Sequence, residues 1–387
     1  MGHIREDQHN QFTLDLVRQL FLQTFTAKST NSRTYIAAGS RQFRTVWVRD
    51  FCWGLELWGS LSQKDHLDLP ADIENALTNT IQLCLTSPLN ESGFAPRGYD
   101  LINPKITVCL GLLGLPKANF FSQELRPEFF GEHGTVAFDS NLLICLLALN
   151  LRDANSNSVL AKIKHQIGWN NESLTQLCKK LLQAYEPFQN AEGCLVQPAF
   201  SDWQDSATRK TATSYINFLY LSVLKSLENE ASLEMEKMFF KFFFHEQTQL
   251  FRSALDHPHR LSFESNLLVL RKKLFQCFIN EDDFEKSMIR FYGSSPKPPV
   301  NIPYSKNDIS WTTKICGLRH YHDGLIWPWQ QHQMKRLLCK HGHLHDMIKQ
   351  EFFFYEVLHP QKLSPFHSFI YKSEFPFFWS IASAIDL

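Results

Sequence analysis

The stretch Tyr321-His-Asp-Gly-Leu-Ile-Trp-Pro-Trp329 places three aromatic side chains, a histidine and an acid beside a glycine and a proline. Gly324 permits an unusual backbone, and Pro328 can begin a helix but cannot continue one through its interior. We therefore predict a loop that ends at the start of a helix. Its side chains suit the hydroxyl groups and the apolar face of a sugar.

Helical periodicity dominates the rest of the chain, as in the apolar face formed by Leu174, Leu177 and Leu181. Strand-like alternation is scarce and brief. The pattern predicts about twelve helices. They lie near residues 11–27, 50–62, 70–87, 138–151, 172–186, 211–228, 231–244, 262–276, 281–292, 328–341, 343–354 and 374–386.

The loops alternate between long and short, and the long ones precede every second predicted helix. Helices paired in this way as six hairpins can close into an all-α (α/α)6 barrel, with the long loops gathered on one face. We expect a single barrel domain over residues 1–387, with function on those loops, because loops held by a rigid scaffold carry most binding and catalytic residues. A short internal echo, Phe138–Leu143 and Phe263–Leu268, supports hairpin repetition, and we predict that Glu264 in it belongs to an ordinary helix cap.

The composition excludes several classes of function. Lys and Arg together number 39 and Asp and Glu together 39, so no basic field for nucleic acid is present. No apolar run approaches the ~20 residues of a membrane helix, and the polar start, Met1–Asn10, predicts no signal peptide. Nine scattered cysteines are typical of reduced thiols in a cytoplasmic protein. His341, His343 and His345 lack the Glu of a catalytic zinc helix, and we expect neither a metal nor an organic cofactor.

Acidic side chains stand beside aromatic or basic ones in several long loops. Arg49 and Asp50 could hydrogen-bond neighbouring sugar hydroxyls, with Trp47 as a stacking surface, although a salt-bridged helix start explains them equally well. Asp139, taken alone, is typical of a helix cap.

Two further segments hold the carboxylates that could act on a bond. In Ser201-Asp-Trp-Gln-Asp-Ser-Ala-Thr-Arg209, Asp205 follows Trp203 and precedes Arg209 by four residues. If a helix began near Ser206, its dipole would favour the ionised form of Asp205. Glu356 closes the apolar run that starts at Phe352, which indicates either a solvent-facing helix end or a carboxylate held in a cleft.

Taken together, these motifs resemble those of the six-hairpin (α/α)6-barrel glycoside hydrolases. The similar members are the neutral/alkaline invertases, the glucosidase and mannosylglycerate-hydrolase group, trehalase and the amylo-1,6-glucosidase part of debranching enzymes. The resemblance implies that Asp205, followed by Arg209, is the general acid and that Glu356 is the general base. It also makes Asp139 a candidate sugar ligand, since Phe138-Asp-Ser is similar to a helix start of the invertases. The chain departs from the common pattern at Asp202, where many relatives have Gly, and at Tyr355, where Pro is frequent.

The resemblance implies an inverting hydrolase of α-glucosides or related α-linked di- or oligosaccharides, with a small carbohydrate as substrate. The predicted substrate-binding residues are Trp47, Arg49, Asp50, Asp139, Trp203, Arg209, Tyr321, His322, Asp323 and Trp327. A catalytically inactive sugar-binding protein is one alternative. A sugar epimerase that uses histidines, namely His320, His322, His359 or His367, is another. The sugar, its linkage and the oligomeric state stay open at this point.

Overall fold

The computed structural model describes residues 33–40, 42–59, 61, 69–100, 104–113, 125–131, 133–228, 230, 232–343 and 347–384. The helices are α1 Val48–Leu57, α2 Ala71–Leu85, α3 Pro104–Leu112, α4 Ser140–Arg152, α5 Val159–Gln166, α6 Asn171–Leu182, α7 Ser214–Ser226, α8 Ser232–Phe243, α9 Phe263–Arg271, α10 Glu281–Tyr292, α11 Trp311–Ile315, α12 Pro328–Lys340 and α13 Phe378–Ala384. The predicted helix 11–27 lies outside the described residues. None of the described helices is both long and apolar enough to cross a membrane.

Two small antiparallel sheets lie between the described helices. The first contains β1 Val46–Trp47, β2 Gly98–Asp100 and β3 Arg126–Glu128, with Val46 opposite Tyr99. The second contains β4 Phe244–His245, β5 Leu250–Ala254 and β6 His257–Leu261. The first sheet leads directly into α1, so it fixes the entry of the chain into the barrel.

Six of the described helices form the inner ring of an (α/α)6 barrel, which confirms the predicted fold. Neighbours in the ring pack as α1–α4, α4–α7, α7–α9, α12–α13 and α13–α1. The rings of Phe263 on α9 and Trp329 on α12 complete the circle, with centroids 6.2 Å apart. Helices α2, α6, α8 and α10 pack outside this ring against α4, α7 and α12. Burial follows the two layers: α4 is buried at every position from Ser140 to Leu149, whereas α6 buries only a narrow apolar stripe.

One hydrogen-bond arrangement repeats within the ring. Near the start of α4, α7 and α9, a buried asparagine accepts a hydrogen bond from a backbone N–H of an adjoining turn or strand. The pairs are Asn141 with Ala95, Asn217 with Leu195 and Asn266 with Phe251, each at 2.8 Å. These amides supply the partners that buried backbone groups require.

The last predicted pair of helices differs from the structure. The predicted helix 343–354 is wrong over its described residues, which contain only the 3-10 turn Gln350–Phe352. Its aromatic side chains instead pack on Ile326 and Leu358, whose backbones form an antiparallel bridge. That bridge brings the chain around Glu356 beside the loop that leads into α12.

The segment Tyr321–Trp329 is a loop that runs into a helix at Pro328, as predicted. The reason for Gly324 is different from the expected one, since its φ is not in the left-handed region. A Cβ atom there would lie 2.6 Å from Cβ of His320, so the position requires close approach and not an unusual backbone.

Candidate active site

A pocket between the loops that precede the inner helices gathers most of the sequence-predicted site. We call it the inner pocket, and its cavity volume is about 110 Å³. That space corresponds to about seven to eleven water-sized spheres, which suits one sugar ring. The predicted residues that line it are Trp47, Arg49, Asp50, Trp203, Asp205, Tyr321, His322, Trp327 and Glu356.

Glu356 lies at the buried end of this pocket, fully shielded from solvent. Its two carboxyl oxygens accept hydrogen bonds from the phenols of Tyr321 and Tyr371, and Oε2 also accepts from the backbone N–H of Glu374 at 3.2 Å. Burial raises the pKa of Glu356 to about 8, against the opposing effect of the two phenols. The carboxyl group of Glu356 therefore holds its proton at neutral pH.

A second buried carboxylate stands behind the first. The side chain of Glu374 accepts hydrogen bonds from the backbone N–H groups of Ser40 at 2.9 Å and Gln42 at 3.0 Å. Its proximity further raises the pKa of Glu356. Glu374 thus ties the segment before β1 to the last loop of the barrel, and through its backbone N–H it holds Glu356 in place.

Asp205 lies at the more open side of the pocket, with its side chain 39% exposed. Arg49 approaches it to 3.3 Å and Arg97 to 3.9 Å. Helix α7 begins at Ser214, well after Asp205, so the expected effect of a helix dipole does not apply to this carboxylate. The positive charge near Asp205 comes instead from the guanidinium groups of Arg49 and Arg97.

Asp139 does not cap α4, because its side chain makes no capping hydrogen bond. Instead it is fully buried behind Arg49 and accepts a hydrogen bond from Nε at 2.8 Å. Burial raises the pKa of Asp139 to about 6, although Arg49 opposes this. The residue therefore orients Arg49 and does not line the pocket.

Asp50 adds a third carboxyl group to the pocket wall. Burial raises the pKa of Asp50 to about 7, with Arg49 opposing the rise and the charge of Asp205 adding to it. Its backbone carbonyl accepts a hydrogen bond from the indole N–H of Trp379 at 2.7 Å. The first turn of α1 is thereby joined to α13 at the pocket.

Aromatic rings form the apolar wall of the pocket. His322 stacks on Trp327 with centroids 5.5 Å apart, and Trp203 meets Trp327 edge-on at 5.6 Å. Nδ1 of His322 lies 2.7 Å from the hydroxyl of Ser206, and burial lowers the pKa of His322 to about 3. The imidazole is therefore neutral at physiological pH and forms part of the aromatic wall.

Besides Asp139, two more predicted ligands lie outside the inner pocket. Arg209 is buried and pairs with Asp202 at 3.1 Å, behind the Asp205 loop. Asp323 is buried as well, and it accepts a hydrogen bond from the backbone N–H of Tyr304 at 2.7 Å. Both side chains support the loops that form the pocket.

Besides the lining rings of Phe43 and Phe377, sequence reasoning missed four residues that shape the site. Tyr371 and Glu374 contact Glu356, Trp379 lines the pocket, and Arg97 contacts Asp205 and lies 4.7 Å above the ring of Trp47. Only Trp379 carried a signal, as a tryptophan in the last predicted helix. The other three stand in segments without a distinctive motif.

Among the described residues, no group of three or more His, Cys, Asp or Glu side chains is arranged to hold a metal ion. Nε2 of His341 lies 2.7 Å from the carboxyl group of Glu285, which is buried.

No family model matches the sequence, and no curated protein matches it. Solved structures do match. A mannosylglycerate hydrolase of glycoside hydrolase family 63 from Thermus thermophilus, in complex with Tris and D-glycerate, is 9% identical with a TM-score of 0.55, covering 96% of this chain and 99% of that one. A novel alpha-amylase from Clostridium perfringens is 10% identical with a TM-score of 0.52, covering 96% of both chains.

A glycosidase variant in complex with glucose is similar over 100% of this chain and 97% of its own, at 9% identity and a TM-score of 0.54. These similarities extend over nearly the whole length of each partner, so they concern the entire barrel and not a single hairpin. The chain therefore shares the (α/α)6-barrel fold of these solved structures.

Proposed function

We propose that the protein is a glycoside hydrolase that releases one glycosyl unit from an α-glucoside or a related α-linked di- or oligosaccharide. The observation that carries the proposal is that Asp205 and Glu356, far apart in the sequence, line one pocket sized for a single sugar ring. The fold is that of enzymes described as a mannosylglycerate hydrolase and an alpha-amylase, which supports hydrolysis.

In this proposal Asp205 protonates the leaving oxygen and Glu356 activates a water that attacks from the opposite face. This division follows from position, since Asp205 is at the open side, where a leaving group can depart, and Glu356 is at the closed end. Attack from the opposite face inverts the anomeric centre and requires carboxyl groups roughly 6.5–9.5 Å apart.

The remaining pocket residues would hold the glycone. Arg49 and Asp50 offer a donor and an acceptor to sugar hydroxyls, and Trp327 and Trp203 offer an apolar face. Asp139, Arg209 and Asp323 are assigned a positioning role, because each is buried behind the lining residues.

The test is hydrolysis by the wild-type protein and by Asp205→Asn and Glu356→Gln on a panel of α-glycosides that includes sucrose and trehalose. We expect both substitutions to lower kcat by at least 100-fold, in line with ~10²–10⁴-fold contributions of acid–base groups. The matched control is Asp256→Asn, which makes the same chemical change at an exposed carboxylate. Asp202→Asn is unsuitable as a control because the Asp202 carboxylate pairs with Arg209. Unchanged turnover in both variants would show that the pair is assigned wrongly.

The anomeric form of the first product separates inversion from retention. Proton NMR of the fresh reaction is expected to show the β-anomer from an α-glycoside. The α-anomer would contradict the inverting mechanism while leaving hydrolysis in place.

The sugar-epimerase alternative receives less support. Of the four histidines proposed for it, only His322 lines the inner pocket, and its neutral ring is engaged with Ser206. Loss of activity in His322→Ala with full activity in Glu356→Gln would favour the epimerase. Tight sugar binding by calorimetry with no product by chromatography would favour an inactive binding protein.

A further inference from the structure

A larger cavity adjoins the inner pocket on its open side. We call it the outer cleft, and its cavity volume is about 510 Å³, within the range of ~300–1,000 Å³ typical of ligand pockets. Asp205, Arg49 and Arg97 line both cavities, so the proposed general acid stands at their junction. A leaving group whose oxygen contacts Asp205 would extend from this junction into the outer cleft.

The walls of the outer cleft are mainly apolar. The aliphatic and aromatic side chains that matter here come from α3, α11 and the segments near them: Val108, Leu112, Val136, Trp311, Ile315 and Leu318. The side chains of Trp311 and Ile315 are exposed, by 64% and 58%, although both are large and apolar. Exposed apolar surface that borders a pocket is more often part of a binding site than other exposed surface is.

The apolar wall on α11 is fixed to the loop that carries Asp205. The backbone N–H of Ser310 donates to the carbonyl of Ser206 at 2.8 Å, and the N–H of Thr208 donates to the carbonyl of Asp308 at 2.6 Å. These two bonds on either side of the Ala207–Ile309 bridge hold Trp311 at a set position relative to the acid. The apolar wall on α11 is therefore held to the loop that carries Asp205.

We infer that the outer cleft binds the leaving group of the substrate and that this group is an apolar aglycone, alkyl or aryl, and not a second sugar. The inference rests on the proposed function, since it takes Asp205 as the acid that protonates the leaving oxygen. A sugar placed against the wall formed by α3 and α11 would set hydroxyl groups against apolar side chains, and unpaired polar groups are costly to bury. An alkyl chain or an aromatic ring instead gains free energy from the same surface.

The experiment measures kcat/KM for methyl, butyl and octyl α-glucosides below the critical micelle concentration, with maltose as the sugar-leaving-group comparison. Burial of one methylene is worth ~0.8 kcal/mol, so kcat/KM should rise about two- to fourfold per added methylene until the cleft is filled. Octyl α-glucoside should also exceed maltose by at least tenfold. If methyl α-glucoside is not turned over, the same alkyl series is made on whichever glycone the panel of α-glycosides identifies.

Variants locate the effect. Trp311→Ala is expected to lower the octyl-to-methyl ratio of kcat/KM about tenfold, as for ~50 Å² of lost apolar contact. Leu233→Ala removes an exposed apolar side chain of the outer helix α8, away from both cavities, and should leave the ratio unchanged.

The two proposals fail in distinguishable ways. A kcat/KM that is independent of alkyl chain length, or that is higher for maltose, would contradict the inference of an apolar leaving group. The proposal that the protein hydrolyses glycosides would be unaffected by that result. If no glycoside is hydrolysed, calorimetric titration of the wild-type protein with the alkyl series still decides the inference. Affinity that rises with chain length and falls in Trp311→Ala supports the apolar cleft, and affinity that does neither overturns it.

Discussion

Removal of one phenol should move the pH dependence of the proposed base. In Tyr371→Phe, Oε2 of Glu356 loses the hydroxyl donor and keeps only the backbone N–H of Glu374 at 3.2 Å. A hydrogen bond to a charged group is worth ~1.5–3 kcal/mol, and one pKa unit corresponds to ~1.36 kcal/mol. The pKa of Glu356, about 8 in the wild type, should therefore rise by ~1–2 units.

The assay is kcat/KM against pH from 6 to about 10.5 on the best substrate of the panel, and it reports the free enzyme. A base must be ionised, so the wild-type value should rise with pH through about 8. Relative to the wild type, kcat/KM of Tyr371→Phe should be ~10–100-fold lower at pH 7 and much less reduced at the alkaline end of the range. Tyr355→Phe is the matched control, because it deletes a phenol one residue from Glu356 that makes no described hydrogen bond to it.

Two results would refute this reasoning. An equal loss at every pH would mean that the phenol of Tyr371 does not act through the protonation of Glu356. A wild-type rate that falls as pH rises through about 8 would mean that Glu356 is the acid of the pair, with the roles of the two carboxyls exchanged.

Three further outcomes are expected. Glu356 keeps its proton up to about pH 8 in the folded protein, whereas the unfolded chain loses it near pH 4.5. The free energy of unfolding of the wild type should therefore fall relative to that of Glu356→Gln as pH rises through this window, by up to ~5 kcal/mol in denaturant titrations. The same pH dependence of unfolding free energy in both proteins would contradict a buried, protonated carboxyl group. Asp139→Asn should lower kcat/KM by ~10–100-fold through misplaced Arg49 at unchanged fold, as judged by circular dichroism. Asn217→Ala should cost ~2–4 kcal/mol of unfolding free energy because it orphans buried backbone groups, whereas exposed Asn307→Ala should change little.

Much of the barrel follows from local sequence patterns. Helix α10 occupies 281–292 as predicted, and α12 begins at Pro328, because amphipathic periodicity and a proline at a helix start are properties of adjacent residues. The segment 343–354 misled the same reasoning. Helical periodicity predicted a helix there, but the aromatic run within it packs around the bridge between Ile326 and Leu358, and long-range packing of this kind overrides local propensity.

The sequence by itself determined the helical hairpin pattern and the aromatic loop before α12, since each depends on residue type and short-range spacing. The choice of Asp205 and Glu356 as the candidate carboxylates came from the resemblance of their motifs to those of a known group of enzymes. Only the tertiary structure decided what surrounds those carboxylates. In the folded protein Tyr371 and Glu374 contact Glu356. Asp323 lies outside the pocket, and an apolar cleft lies beside Asp205. Protonation and recognition depend on burial and on partners from distant segments, and contacts between distant segments exist only once the ring of helices has closed.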